Sequence, residues 1–172
     1  MNKKTLITAV VLTLSVLFSG KLIAQSTGTA TLNIKLADAR AIAITNNKID
    51  LNFASTSDYE NGVTTNVVNQ IRVISSGSFQ VNVKSATDNL SLGSDLIPAN
   101  TITVTPTLST GSISELSSFS QKLSSANQQI IKCTKGTMPI SFNMEYKTEG
   151  GAYIGKAAGT YSTTVTYEIL PL

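Results

Sequence analysis

The chain has 172 residues, with 13 basic and 10 acidic side chains, and 41% of its residues are hydrophobic. It has no histidine and a single cysteine, Cys133, which excludes ordinary zinc sites, a Cys–His nucleophile pair and an internal disulfide. The sequence contains neither a Gly-rich phosphate loop nor a G-x-S-x-G elbow. We therefore expect a protein that is not an enzyme and that binds no cofactor or metal.

The first 24 residues have the pattern of a secretory signal peptide. Lys3 and Lys4 precede an apolar run from Leu6 to Phe18, which is shorter than the about 20 residues that a membrane span needs. We place cleavage after Ala24. Three of the 13 basic residues leave with the signal, so the mature chain balances its 10 acidic residues. Such a chain has no net charge that favours nucleic acid or an anionic membrane.

Residues 25–36 are predicted to be an N-terminal extension ahead of a single domain at 37–172. A period of two places alternate side chains on one face of a β-strand, and a strand is predicted at 29–36. Small or apolar residues occupy every second position of this stretch: Gly28, Ala30, Leu32, Ile34 and Leu36.

The rest of the mature chain is rich in Ser, Thr, Asn and Val, which favour strands and turns. Strands at short spacing with turns between them predict a sandwich or a barrel. The turn signal Ser75–Ser78 predicts a β-hairpin over 67–84. Further strands are predicted at 40–45, 48–54, 67–75, 78–84, 101–105, 118–123, 128–132, 138–147 and 160–169.

Three segments are predicted to be loops, at 55–62, 87–100 and 148–151. One further segment is ambiguous, because Ser112-x-x-Glu115 matches a helix capping box, whereas the serines that follow disfavour a helix. We expect a short turn there that leads into a strand near Phe119.

Other binding chemistry has weaker support in the residues. Asp58, Glu60 and Asn61 lie in one loop and carry the oxygen ligands that calcium prefers, but the loop lacks the EF-hand ligand pattern. The tyrosines are scattered, whereas a sugar-stacking platform needs them together. Cys133 is expected to be a small buried side chain; the alternatives for an exported protein are an intermolecular bridge or a reactive thiol.

The last predicted strand, 160–169, alternates in the same way as the N-terminal extension. Its pattern Gly159-x-Tyr161-x-x-x-Val165-x-Tyr167-x-Ile169 resembles the last strand of chaperone–usher pilins and of spore coat protein U-like secreted subunits. The alternation from Gly28 to Leu36 resembles the N-terminal extension of those subunits. Together the two patterns and the strand-rich middle cover most of residues 27–169. The chain departs from the family in lacking the disulfide that is common near the start of such subunits.

This resemblance implies an all-β fold, an immunoglobulin-like Greek-key β-sandwich with an N-terminal donor strand. It implies a structural subunit of a bacterial surface fibre, a pilus or fimbria, in which the extension of one subunit completes the sandwich of the next. The implied donor residues are Gly28, Ala30, Leu32, Ile34 and Leu36. The implied acceptor groove is lined or flanked by Tyr161, Val165, Tyr167 and Ile169.

The same resemblance implies the partners and the location of the protein. The partners are other pilin-type subunits in a homo- or heteropolymer, a periplasmic chaperone and an outer-membrane usher. The protein is then exported through the periplasm to a fibre on the cell surface.

The residues leave two other classes open. If 29–36 pairs within its own chain, the product is a stand-alone secreted sandwich that serves as a binding or adhesion module. A small outer-membrane barrel has alternating strands of about 10 residues, but aromatic residues make up only 6% of the chain, too few for the girdles of such barrels.

Overall fold

The computed structural model describes residues 27–172. The chain divides after Leu36 into two units, and all the described strands lie in the second unit, residues 37–172. In the first unit, residues 27–36 form no strand. The predicted signal peptide and its cleavage site lie outside the described residues.

The second unit is made of short strands with one short helix. The helix α1 spans Thr56–Asn61, and a 3₁₀ turn spans Ala99–Thr101. In chain order the strands are β1 (Arg40–Ile44), β2 (Thr64–Ser75), β3 (Phe79–Ser85), β4 (Asn89–Leu92), β5 (Asp95–Pro98), β6 (Ile102–Leu108), β7 (Leu116–Ser118), β8 (Gln121–Lys122), β9 (Gln128–Cys133), β10 (Thr137–Thr148) and β11 (Val165–Pro171).

Two large antiparallel sheets enclose one hydrophobic core. One sheet has the order β1-β2-β10-β6-β8 and the other β11-β3-β9-β7, while β4 and β5 form a separate hairpin. Alternate side chains of both sheets meet between them, which confirms the predicted all-β sandwich. Completely buried members of this core include Ile71, Val73, Val104, Phe142 and Met144 from the first sheet and Phe79, Val81, Val83, Ile130, Ile131 and Cys133 from the second.

The strand order is that of an immunoglobulin-like sandwich. The order β1-β2-β10-β6 corresponds to strands A-B-E-D of that fold, and β11-β3 corresponds to F-C. In the immunoglobulin sandwich a seventh strand, G, pairs with the outer edge of F. Within residues 27–172 no strand pairs with the outer edge of β11. The fold is thus immunoglobulin-like, and within residues 27–172 the edge at which that fold has strand G is unpaired.

The prediction of a hairpin over 67–84 is wrong in one respect. The two strands and their tight turn are present, but β2 pairs with β1 and β10, whereas β3 pairs with β9 and β11. The apolar faces of β2 and β3 are therefore buried by packing across the core, not side by side in one sheet. Alternation determines which side chains face inward, but it does not determine whether the next strand pairs or packs.

Three predicted segments differ in detail. The predicted loop 87–100 contains the β4–β5 hairpin, with Gly93 at a φ of 59° in its turn. The predicted strand 118–123 divides into β7 and β8, which belong to different sheets, because the chain crosses between the sheets there. Ser112–Glu115 forms no helix and leads into β7, as predicted.

The predicted loop 55–62 contains α1, which begins with a capping box. The Ser55 hydroxyl accepts a hydrogen bond from the Asp58 backbone N–H at 3.3 Å, and the Asp58 carboxylate accepts one from the Ser55 backbone N–H at 2.7 Å. The reciprocal bonds satisfy backbone donors that the first helical turn leaves free. Asp58, a candidate calcium ligand from the sequence, therefore has a structural role in the capping box of α1.

Candidate functional site: the open edge of the sandwich

The outer edge of β11 is the candidate site. Val165, Tyr167 and Ile169 face the core but are only half-buried. The corresponding side chains of its neighbour β3 are completely buried. The structure thus places these three predicted residues along an incompletely covered margin of the core. Their role as an acceptor groove stays a prediction.

The placement of Tyr161 in the last strand is wrong. The strand begins at Val165, and Tyr161 lies in the preceding loop. There its hydroxyl donates to the Asp95 carboxylate, and the Ala157 carbonyl lies 3.1 Å away as a second acceptor for the same proton. The hydrogen bond to Asp95 raises the pKa of Tyr161 and lowers that of Asp95. Residues 160–164 do not extend β11 as a regular strand. Beyond Ser85 the pairing continues only as a bond from Ala86 N to the Thr164 carbonyl at 2.8 Å and as an isolated bridge between Ser91 and Ser162.

A second unpaired segment, residues 46–53, follows β1. The last backbone bond along β1 runs from Thr45 N to the Gln70 carbonyl at 2.9 Å, and residues 46–53 make no backbone–backbone hydrogen bond within the described chain. Ile49, Leu51 and Phe53 are half-buried and alternate with exposed residues. The predicted strand 48–54 therefore has the expected alternation but no partner, so it forms no strand.

A cavity lies between residues 46–53 and the loop that precedes β11. Its volume is about 430 Å³. Phe53 packs at this site against Tyr59 and Tyr153, with ring centroids 5.2 Å and 4.6 Å apart. The lining includes Ile49–Phe53, Lys156–Tyr161, Leu90, Ile97 and Ile102. β1 itself lies close to β11, since Cα atoms of the two strands approach within 8 Å.

A polar network joins the two sheets at this margin. The Tyr146 hydroxyl donates to the Gln70 side-chain oxygen at 2.9 Å and is hydrogen-bonded to the Tyr167 hydroxyl. Gln70 is completely buried and donates to the Asn46 carbonyl at 3.2 Å. Desolvation raises the pKa of Tyr146 and of Tyr167, so both hydroxyls stay neutral. The sequence does not indicate a role for Asn46 or Gln70, because a buried Gln has no periodic signature.

The predicted donor residues are exposed in this chain. Leu32, Ile34 and Leu36 are 86%, 77% and 88% exposed, and Gly28 and Ala30 are exposed as well. The strand predicted at 29–36 is not formed here, because no described strand supplies the hydrogen bonds that a strand needs. Donation of this segment to another copy stays a prediction.

Other chemistry has little support in the described part of the chain. No group of three or more His, Cys, Asp or Glu side chains in residues 27–172 is placed to hold a metal ion. No helix in the same residues is long and apolar enough to cross a membrane. Cys133 is completely buried and forms no disulfide, as predicted for a small core side chain.

Comparisons with known proteins find a structural likeness but no family. A scan against protein-family models finds no match, and neither does a search of curated proteins. Among solved structures, a chaperone–usher pilus structure aligns with 89% of this chain and 100% of its own, with a TM-score of 0.43 and 12% sequence identity. The assignment of the fold itself stands on the strand order and the shared core described above.

Proposed function

We propose that this protein is a structural subunit of a bacterial surface fibre that polymerises by donor-strand complementation. Residues 28–36 of one copy would pair with the outer edge of β11 in the next copy. The observation that carries the proposal is the state of that edge. The core-facing side chains of β11 are half-buried, and no other strand within residues 27–172 pairs with its outer edge. An exposed strand edge is an association site unless something covers it.

The open edge has the chemistry that an added strand requires. The outer backbone groups of β11 can extend the sheet ladder, and alternate side chains of the incoming strand can enter the margin of the core. Residues 46–53 offer further unpaired backbone on the other side of the cavity from the loop that precedes β11. Because every strand pairing in the sandwich is antiparallel, we expect the donor to run antiparallel to β11.

The N-terminal extension has a suitable length and pattern for this edge. Nine residues at about 3.3 Å each span about 30 Å, whereas the seven residues of β11 span about 23 Å. Alternation gives the segment one apolar face, with Leu32, Ile34 and Leu36, and one polar face, with Asn33 and Lys35. A strand of this kind can bury the first face and leave the second in solvent.

Burial of the apolar face supplies the driving force. Each of Leu32, Ile34 and Leu36 can contribute about 1.5–3 kcal/mol when fully buried, and all three begin at least three-quarters exposed. The gain competes with the entropy lost when the segment becomes ordered. Loss of a single large side chain therefore has a strong effect on assembly.

Insertion of a donor also requires β1 and β11 to separate. Two strand spacings amount to about 9.5 Å, which exceeds the 8 Å within which Cα atoms of β1 and β11 approach. Association that needs such a rearrangement is slower than docking of preformed surfaces. The resemblance to pilins supplies a periplasmic chaperone and an outer-membrane usher as the partners that would assist this step during export.

Donor and acceptor are different surfaces of the same chain. A contact between unlike surfaces repeats from copy to copy, and it forms an open filament unless the rotation happens to close it. This geometry fits a fibre on the cell surface better than a closed oligomer.

The test places the same charged side chain on either face of the donor. Ile34→Arg puts a cation on the apolar face, and Asn33→Arg puts one on the polar face next to it. We expect Ile34→Arg to abolish fibres on cells seen by electron microscopy, and Asn33→Arg to leave them. Fibres in normal number from the Ile34→Arg chain would contradict the donor assignment.

A stand-alone secreted binding module is the second candidate function. The cavity of about 430 Å³ favours it, because Phe53, Tyr59 and Tyr153 lie there and aromatic-lined cavities bind small ligands. The behaviour of purified mature protein distinguishes the candidates. SDS-resistant ladders that collapse on boiling support strand exchange, whereas a monomer that refolds alone in a two-state manner supports the module.

A further inference from the structure

The link between the predicted donor and β1 is short and partly fastened. Only Ala37, Asp38 and Ala39 separate Leu36 from β1. Asp38 and Ala39 are hydrogen-bonded to Ser76, which lies in the turn between β2 and β3. The Ser76 hydroxyl accepts from Ala39 N and donates to the Asp38 carboxylate, each at 2.8 Å, and Ser76 N donates to the Ala39 carbonyl at 2.8 Å.

Arg40 completes this set of bonds. Its Nη2 lies 2.7 Å from the second carboxylate oxygen of Asp38, and its side chain is only 20% exposed. The guanidinium lies over Gly77, where an added Cβ would be 3.7 Å from Nη2. The hydrogen bond from Ser76, with that from Arg40, holds the pKa of Asp38 below its usual range. We refer to Asp38, Ser76, Gly77 and Arg40 as the Asp38 cluster.

The turn that carries the cluster is itself held in place. An added Cβ at Gly136 would lie 2.4 Å from the Ser76 carbonyl oxygen, so the turn between β9 and β10 presses directly on the backbone of the β2–β3 turn. The cluster is thus anchored to two turns of the sandwich. Within the described chain, Ala37 has no hydrogen bond of its own.

We propose that the Asp38 cluster is a contact surface between successive copies in the fibre, and that it restricts the joint between them to Ala37. The inference rests on the proposed function, and the partner is a second copy of this chain. Asp38 is two residues beyond Leu36, so its Cα lies at most about 7 Å from the Cα of Leu36. If Leu36 is buried in the next copy, Asp38 is therefore close to that copy. The cluster must therefore lie at the mouth of that copy's open edge.

This arrangement predicts a stiff fibre. A flexible linker lets consecutive domains reorient, and its freedom grows with the number of unconstrained residues. Here hydrogen bonds hold Asp38 and Ala39. Rotation about the backbone dihedral angles of Ala37 is therefore the main source of flexibility between one copy and the next. Removal of the bonds, or addition of free residues, should make the fibre more flexible without removing the donor.

The experiment compares fibres from cells that produce four full-length chains. These are the wild type, Asp38→Ala, an insertion of two glycines after Ala37, and Glu149→Ala. The last is a control, because it breaks the exposed ion pair with Lys122 elsewhere on the sandwich. We expect Asp38→Ala and the insertion to shorten the persistence length measured by electron microscopy about twofold or more, and Glu149→Ala to leave it unchanged.

Unchanged persistence lengths for Asp38→Ala and the insertion would overturn the inference while the fibre function stands. If Asp38→Ala does not fold, as judged by circular dichroism, the insertion decides alone, since it leaves every bond of the cluster intact. Fibre formation by Ile34→Arg, in contrast, would remove the proposed function, and this inference would fall with it.

Discussion

β3 and β11 are neighbours in one sheet and have the same length, yet their surroundings differ. Both have seven residues and alternate, with Val81 directly opposite Ile169. The inward side chains of β3 are completely buried, whereas those of β11 are half-buried. β3 has a paired strand at each edge, but β11 has one at a single edge. The comparison shows that a strand paired on both edges has its inward side chains fully buried, whereas a strand paired on one edge leaves them partly exposed.

The largest expected effect comes from placing the same charge in each strand. Val81→Asp puts a carboxylate into the completely buried core and should cost at least about 4 kcal/mol, enough to prevent folding. Ile169→Asp, at the paired position, keeps its carboxylate near solvent and should leave a folded chain that does not assemble. Thermal unfolding followed by circular dichroism checks both variants. Equal loss of structure in the two would break the comparison.

If the proposed donor pairs with β11, supplying it as a peptide should remove the difference in burial between β11 and β3. A folded Ile34→Arg chain, mixed with a peptide of residues 27–37, should gain about 2.7 kcal/mol of unfolding free energy at a peptide concentration of 100 times Kd. The gain appears as a higher Tm, and β11 amides should exchange hydrogen as slowly as those of β3. A peptide that itself carries Ile34→Arg is the control. No rise in Tm with the wild-type peptide would contradict the acceptor assignment.

Leu32→Ala separates assembly from folding at a single apolar side chain. In the isolated chain Leu32 is 86% exposed, so the free energy of unfolding should change by less than about 0.5 kcal/mol. In the assembled form the lost burial should cost about 2 kcal/mol. The measurement is the guanidinium midpoint of the monomer and of the SDS-resistant ladders. A destabilised monomer would mean that Leu32 belongs to its own fold.

The smallest effect concerns the loop that leads into β11. Asp95 accepts hydrogen bonds from Tyr161 and from the Ala157 backbone N–H, and its pKa is lowered chiefly by the bond from Tyr161. This contribution to stability is complete above the ordinary carboxyl pKa of 3.8 and is lost as the pH falls through the lowered value. Asp95→Asn should speed hydrogen exchange in residues 156–161 at neutral pH and flatten its response to acid. Equal exchange in both chains would show that Asp95 does not hold the loop.

Local patterns predicted much of the fold. Alternation located the strands of the core, including β3, β9 and β10, because burial on one face leaves a period of two in the residues. It did not predict that β2 and β3 lie in different sheets. The capping box at Ser55 and the hairpin at Gly93 went unnoticed inside polar segments, since a few turn residues decide those structures.

The candidate site was predicted only in part. Val165, Tyr167 and Ile169 lie along the open edge, because the residues of a buried margin still alternate. Tyr161 does not, since it lies in the loop before β11, where its hydroxyl is hydrogen-bonded to Asp95. Residues 46–53 show why a pattern alone is insufficient. They have the alternation of a strand, but a strand exists only where a neighbour completes its hydrogen bonds.

The five-residue pairing of β1 with β2 has a mechanical consequence. In a fibre pulled lengthwise, tension passes from the donor through Ala37 into β1, whose contact with β2 extends from Arg40↔Ser75 to Ile44↔Ile71. Cys133 is the only cysteine, so no disulfide within the chain shares this load. A donor paired along the seven residues of β11 has a longer ladder to shear than the five residues of β1 have. The strength of the fibre would therefore be limited inside each subunit, at β1, before the joints between subunits give way.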